Sequence, residues 1–188
     1  MFLKSCHNRY VQHIDAQITH NRVVLTLFRE PANGTASSFQ FGPIIAAFRS
    51  CMPINSFLSA AVWSTGAYNP VSGDQWSGLN VTGLKTHGGQ LNCINIMAYD
   101  AGNVPKDYNP ETAFAAYRTL FKGAICLGIE LGKMGWGPYL TTVDDVKNAA
   151  MCVKKDNNGG IFIWSWFQNT TGTPTVSQTL QIVNSIFN

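Results

Sequence analysis

The sequence is poor in charge: only 12% of its 188 residues are Asp, Glu, Lys or Arg, about half the usual share in globular proteins. Because 45% of the residues are hydrophobic, the chain does not fit the disordered class, which combines low hydrophobicity with high net charge. Its net charge of +3 comes from 13 basic and 10 acidic residues, and the basic residues form no cluster. We therefore expect no nucleic-acid partner, since such a surface needs clustered Lys and Arg.

Long hydrophobic runs are also missing. No window approaches the ~18 uninterrupted apolar residues of a membrane span, so we expect no membrane association. The opening residues, MFLKSCHNRY, lack the continuous apolar stretch of a signal peptide, and we expect no export signal there. The sequence assigns no compartment. Its length suits one domain, which we place over residues 1–188.

Metal and nucleotide motifs are absent from the sequence. The five cysteines form no CxxC pair, and neither they nor the four histidines have metal-ligand spacing. This usage predicts mostly reduced thiols, as in intracellular proteins. No GxGxxG or GxxxxGK[ST] motif follows any predicted strand. We therefore expect neither a metal nor a cofactor.

What the sequence does contain is an alternation of short apolar runs with helical patterns. The runs predict five buried strands, over residues 23–28, 57–63, 91–99, 124–131 and 160–167. Helices are predicted over residues 39–49, 110–122, 142–155 and 175–187, and residues 78–88 fit either a short helix or an edge segment. This rhythm indicates an α/β fold with a parallel sheet covered on both faces.

The loops that follow the strands are long and rich in Gly, Pro and aromatic residues. Because ligands bind at the carboxyl ends of parallel strands, we expect the chemistry there. One strand ends in Met97, Tyr99 and Asp100, and the last strand carries Trp164. An aromatic ring can pack against the apolar face of a sugar, while a hydroxyl and a carboxylate bind its polar edge. The pattern favours a glycan site.

Three further residues near strand ends have open interpretations. Trp63 is either a second sugar platform or a packing residue. Trp136, in a Gly-rich loop, is a candidate for lining a substrate groove. Glu130 is either a displaced acid or a carboxylate that satisfies a hydrogen bond at the mouth of the sheet, and we favour the second interpretation.

Together these segments resemble the last third of glycoside hydrolase family 18, the chitinases and endo-β-N-acetylglucosaminidases. The resemblance lies in the MAYD strand (97–100), the GAICLGIEL strand (123–131) and the GGIFIW strand (159–164), preceded by FLSAAVW (57–63). It covers roughly residues 39–188. It implies a (β/α)8 TIM-barrel relative, with residues 1–22 an unmatched N-terminal segment and residues 23–188 a series of barrel-like βα units.

The resemblance also implies roles for individual residues. The family cleaves N-acetylglucosamine polymers through attack by the substrate's own acetamido oxygen, while a Glu at the end of a DxxDxDxE strand protonates the leaving oxygen. Tyr99 would then bind the acetamido oxygen, and Asp100 would join the network of the acid. Met97 would line the pocket, and Trp164 would form its floor.

The chain departs from the family at the catalytic strand. The DxxDxDxE segment should lie just before Pro31, which makes Glu30 the candidate acid. The three Asp positions then hold Val23, Thr26 and Phe28, and the adjacent register restores no Asp either. No neighbouring carboxylate would orient the acetamido group or raise the pKa of the acid.

Two functions follow as hypotheses. The first is a chitinase-like hydrolase of β-linked N-acetylglucosamine polymers, and the second is a non-catalytic glycan-binding or scaffold protein on a degenerate barrel. The missing Asp residues favour the second. Since a closed barrel needs eight strands and the sequence predicts five, we also expect an incomplete barrel. Its open sheet edge would be covered by self-association or by a partner.

Overall fold

The computed structural model describes residues 13–19, 22–28, 38–53, 55–68, 76–99, 109–132, 140–164 and 171–188. They form a six-stranded sheet and the helices that follow its strands. The strands are β1 (His13–Thr19), β2 (Arg22–Phe28), β3 (Phe57–Trp63), β4 (Cys93–Met97), β5 (Ala124–Glu130) and β6 (Gly159–Trp164). The α-helices are α1 (Ser38–Cys51), α2 (Val81–His87), α3 (Pro110–Leu120), α4 (Val143–Lys154) and α5 (Val176–Phe187).

The spatial order of the strands follows their order in the chain. β1 pairs with β2 in antiparallel fashion, and the four pairings from β2 to β6 are all parallel. The predicted α/β class with a parallel sheet is therefore confirmed. The predicted number of strands was wrong, because β1 lies within the segment 1–22 that was left unmatched.

Capping residues explain where the later helices begin. Asn109 accepts hydrogen bonds from the backbone amides of Glu111 and Thr112, with Pro110 in the first turn of α3. Thr142 begins α4 and Thr175 begins α5, each through a reciprocal capping box. The ambiguous segment 78–88 contains α2.

The hydrophobic core lies between the helices and one face of the sheet. It is built from alternate residues of successive strands, among them Leu58, Ile94, Ile125 and Leu127, all fully buried. Tyr117 of α3, also fully buried, packs into the same cluster. Both described core clusters use this face, whereas the sequence predicted helical cover on both faces. None of the helices in the described segments is long and apolar enough to span a bilayer.

Candidate functional site

The face of the sheet opposite the helices carries the candidate site. Side chains alternate along a strand, so the residues between the core positions of β3 to β6 point to this second face. At the carboxyl ends of the strands these residues are Trp63, Met97, Glu130 and Trp164, and we call their surface the site face. Trp63 pairs with Met97 in the strand register, and Glu130 pairs with Trp164.

Tyr99 joins Trp164 at this edge of the sheet. The centres of the two rings are 6.1 Å apart, with a tilt of 33°. Tyr99 also meets the edge of Phe162, at 6.3 Å between centres and an angle of 71°. Such geometries are typical of favourable aromatic pairs. The structure therefore brings together the two aromatic residues that the sequence placed at the ends of separate strands.

Gly128 makes the room that this aromatic cluster needs. It pairs with Phe162 in the register of β5 and β6. A Cβ atom at position 128 would lie 2.6 Å from Cζ of Phe162 and 2.8 Å from the carbonyl oxygen of Ile96. Only glycine lets the Phe162 ring lie this close to β5. Phe162 was not among the predicted site residues, although its two-residue spacing from Trp164 predicts that both face the same side of the strand.

Polar groups lie among these rings. The hydroxyl oxygen of Tyr99 is buried, and Glu130 is only 5% exposed at the position opposite Trp164. Burying a carboxylate is costly unless polar groups pair with it. Glu130 was not among the predicted binding residues, and its even spacing from Cys126 and Gly128 was the available signal that it shares their face.

Trp63 and Met97 form the neighbouring part of the site face. Met97 is 6% exposed, and the ring of Trp63 lies 4.6 Å from that of Trp76, between centres. The buried Nε1 of Trp63 has no hydrogen-bond acceptor in the part of the chain that the structure describes. An indole N–H is only a donor, and a buried one needs an acceptor.

A hydrogen-bond network fixes the backbone of Trp63. The hydroxyl of Tyr117 lies 2.5 Å from the carbonyl oxygen of Trp63 and 2.8 Å from Oδ1 of Asn80, and the amide of Trp63 donates to the same Oδ1 at 3.3 Å. Gly66 lies against this network, where a Cβ atom would be 2.0 Å from Oδ1 of Asn80. Helix α3 and the turn after β3 thus position the end of β3.

The remaining predicted site residues are Glu30, Asp100 and Trp136, and all three lie outside the described residues. The segment 22–28 that should precede the acid is strand β2, which pairs in parallel with β3. Among the described residues, no group of three or more His, Cys, Asp or Glu side chains is arranged to hold a metal ion.

Comparison with known proteins adds no relative. Neither a family model, nor a curated protein, nor a solved structure matches this chain. The argument for function therefore rests on the residues and on the geometry of the site face.

Proposed function

We propose that this chain recognises β-linked N-acetylglucosamine polymers on the site face, as a chitinase-like protein whose hydrolytic machinery is altered. The observation that carries the proposal is the placement of Tyr99 beside Trp164 at the carboxyl edge of the parallel sheet. The buried carboxylate of Glu130 lies at the register position next to Trp164. Aromatic surface and acceptor oxygens at one strand edge are what a sugar ring requires.

The chemistry of an N-acetylglucosamine unit fits this arrangement. The axial C–H bonds of the ring would pack on the indole of Trp164. The acetamido oxygen would accept a hydrogen bond from the hydroxyl of Tyr99, and the ring hydroxyls or the acetamido N–H would donate to Glu130. Met97 and Trp63 extend the surface toward the adjoining sugar, where the indole N–H of Trp63 is a further donor.

The topology favours a relative of the (β/α)8 barrel over a doubly wound sheet. Doubly wound sheets reverse their strand order at a switch point, and ligands bind there. In this chain the order from β2 to β6 continues without reversal, and the core lies on one face. The other face then corresponds to the interior of an incomplete barrel, with its ligand at the carboxyl ends of the strands.

Binding is favoured over cleavage because of the residues in β2. If Glu30 is the acid, the resemblance places Val23, Thr26 and Phe28 where the family carries Asp residues. Glu30, which follows β2 in the sequence, would have to act as the acid without a partner carboxylate. We therefore propose a glycan-binding protein of hydrolytic ancestry.

Mass spectrometry of a chitin tetrasaccharide incubated with the purified chain tests this proposal, together with co-sedimentation of the chain with insoluble chitin. We expect the chain to sediment with chitin while the tetrasaccharide stays intact. Cleavage that Glu30→Gln abolishes would instead establish a working hydrolase with Glu30 as its acid. Intact sugar together with no co-sedimentation would contradict the proposal.

We also propose that the open edge of the sheet is covered by a second copy of the chain. β6 pairs with β5 on one side and ends the described sheet on the other. An uncovered edge strand presents backbone groups that another strand can pair with. Light scattering at micromolar concentration should report a species larger than the monomer, and a monodisperse monomer would contradict this part of the proposal.

A further inference from the structure

Two cysteine thiols meet on the site face, nearer the amino ends of the strands than the aromatic cluster. Cys93 of β4 and Cys126 of β5 are both free, and their Sγ atoms are 3.9 Å apart. Cys93 pairs with Ala124 in the strand register, and Cys126 pairs with Asn95, so the two cysteines are diagonal neighbours. Neither residue belongs to the core clusters beneath the helices.

The two thiols differ in access and in acidity. Cys93 is 5% exposed, whereas Cys126 is only half-buried. Their mutual hydrogen bond raises the pKa of the Cys93 thiol, as does burial, and the same bond lowers the pKa of the Cys126 thiol. The thiolate is the nucleophile in disulfide exchange, and Cys126 is the more exposed of the pair, so Cys126 is the thiol that an oxidant reaches first.

Gly160 borders the sulfur of Cys126. It is the register partner of Cys126 on β6, and a Cβ atom at position 160 would lie 3.0 Å from Sγ of Cys126. A side chain at this position would crowd the sulfur, and glycine avoids that contact. A disulfide needs the sulfurs at about 2.05 Å and the Cα atoms within about 7 Å, whereas diagonal neighbours in a sheet have Cα atoms about 7–8 Å apart. Closing the bond therefore requires rotation of the side chains together with a shift of β4 relative to β5.

We propose that Cys93 and Cys126 form a dithiol modification site that a small disulfide oxidant, such as oxidised glutathione, closes into an intrachain disulfide. The Cys126 thiolate attacks one sulfur of the oxidant, forming a mixed disulfide and releasing one glutathione thiolate. The Cys93 thiol then loses its proton to solvent and attacks Sγ of Cys126, which releases the second glutathione. The two cysteines lose two electrons and two protons, and one oxidised glutathione becomes two reduced molecules.

Incubation of the folded chain with oxidised glutathione, followed by alkylation and peptide mass mapping, tests this site. We use a Cys51→Ser background because Cys51 is exposed and would take up glutathione by itself. The expected product has lost two hydrogens and yields a cross-linked peptide that contains Cys93 and Cys126. In the Cys93→Ala variant the reaction should stop at one glutathione on Cys126, because the resolving thiol is missing.

Two results would overturn the proposal. One is a stable glutathione adduct on Cys126 in the chain that retains Cys93, and the other is full alkylation of Cys93 after oxidation and unfolding. The order of attack has its own control: in a Cys126→Ser variant the buried Cys93 should resist the oxidant. Circular dichroism of each variant establishes that it is folded, and the mapping of the parent chain decides the proposal whether or not a variant folds. This site is independent of glycan binding.

Discussion

The rings of Tyr99 and Trp164 lie 6.1 Å apart between their centres, although Tyr99 follows β4, Trp164 ends β6, and β5 lies between these two strands in the sheet. Their proximity arises because Tyr99 lies beyond the end of β4 and the intervening strand carries Gly128 rather than a larger residue. Phe162 fills the space over that glycine and supports the ring of Tyr99 from its edge. The site therefore depends on three aromatic rings and one glycine.

Removal of Trp164 should weaken glycan binding. We expect Trp164→Ala to lower the affinity for a chitin tetrasaccharide by about tenfold or more, since a buried aromatic anchor commonly contributes ~2 kcal/mol to binding. Isothermal titration calorimetry measures the change. Phe187→Ala is the matched control, because it removes an exposed aromatic ring of α5. Equal affinity of the two variants would show that Trp164 does not contact the sugar.

A side chain at position 128 should disturb the aromatic cluster. We expect Gly128→Ala to reduce the free energy of unfolding by about 1–3 kcal/mol, because the new methyl group overlaps Phe162 and the backbone of β4. Glycan affinity should fall with it. Urea denaturation checks the first effect. The control is Gly89→Ala, whose methyl group would meet no atom within 4 Å, and a similar loss in both variants would contradict the steric explanation.

The hydroxyl of Tyr117 should stabilise the end of β3. We expect Tyr117→Phe to lower the free energy of unfolding by about 1–3 kcal/mol, because it removes the buried hydroxyl that lies against Asn80 and the carbonyl oxygen of Trp63. Denaturation in urea again provides the measurement. Thr119→Ala serves as the control, because it removes an exposed hydroxyl that donates to the backbone of its own helix. A negligible effect at position 117 would mean that the turn after β3 is held by other contacts.

The ion pair between α3 and the turn after α4 should contribute more to the free energy of unfolding than an ion pair on the surface. Arg118 binds both carboxylate oxygens of Asp156, at 2.6 and 2.8 Å, and also donates to the backbone before β5. We expect Asp156→Asn to cost about 1–2 kcal/mol in the free energy of unfolding, because the pair is bidentate and mostly buried. Thermal denaturation with circular dichroism detection tests this expectation.

The matched control for Asp156 is an exposed pair on α4. Nζ of Lys147 lies 3.2 Å from Oδ1 of Asp144, and both side chains are exposed to solvent. We expect Lys147→Gln to lower the free energy of unfolding by less than about 0.5 kcal/mol, because exposed ion pairs three residues apart on a helix contribute little to stability. A cost at position 147 that equals the cost at position 156 would contradict the role given to burial and bidentate geometry.

The sequence predicted most of the parallel sheet because its central strands are nearly continuous apolar runs. It missed β1 because that strand alternates Ile14, Ala16 and Ile18 with polar residues, which lowers its mean hydropathy. The alternation is itself the signal of a strand with one polar face. A search for period-two patterns would have found it.

Prediction of the site was limited by contacts between strands. The motifs alone identified Tyr99 and Trp164, since each lies at the end of an apolar run. The two-residue spacing along each strand shows which face Phe162 and Glu130 share, but their closeness to Tyr99 and Trp164 depends on the register between β5 and β6, which no local pattern encodes. The sequence also gave no reason to expect helices against one face only, because both faces of the central strands are apolar.

The most direct test of the account is a calorimetric titration of the chain with a chitin tetrasaccharide and, in parallel, with the cellulose tetrasaccharide that lacks acetamido groups. The proposal has the Tyr99 hydroxyl and Glu130 form hydrogen bonds with the acetamido group beside Trp164. The chitin fragment should then bind, and the cellulose fragment should bind at least about tenfold more weakly, because it lacks a group that makes buried hydrogen bonds. Equal affinity for the two sugars, or no binding of either, would contradict the proposal that the site face recognises N-acetylglucosamine.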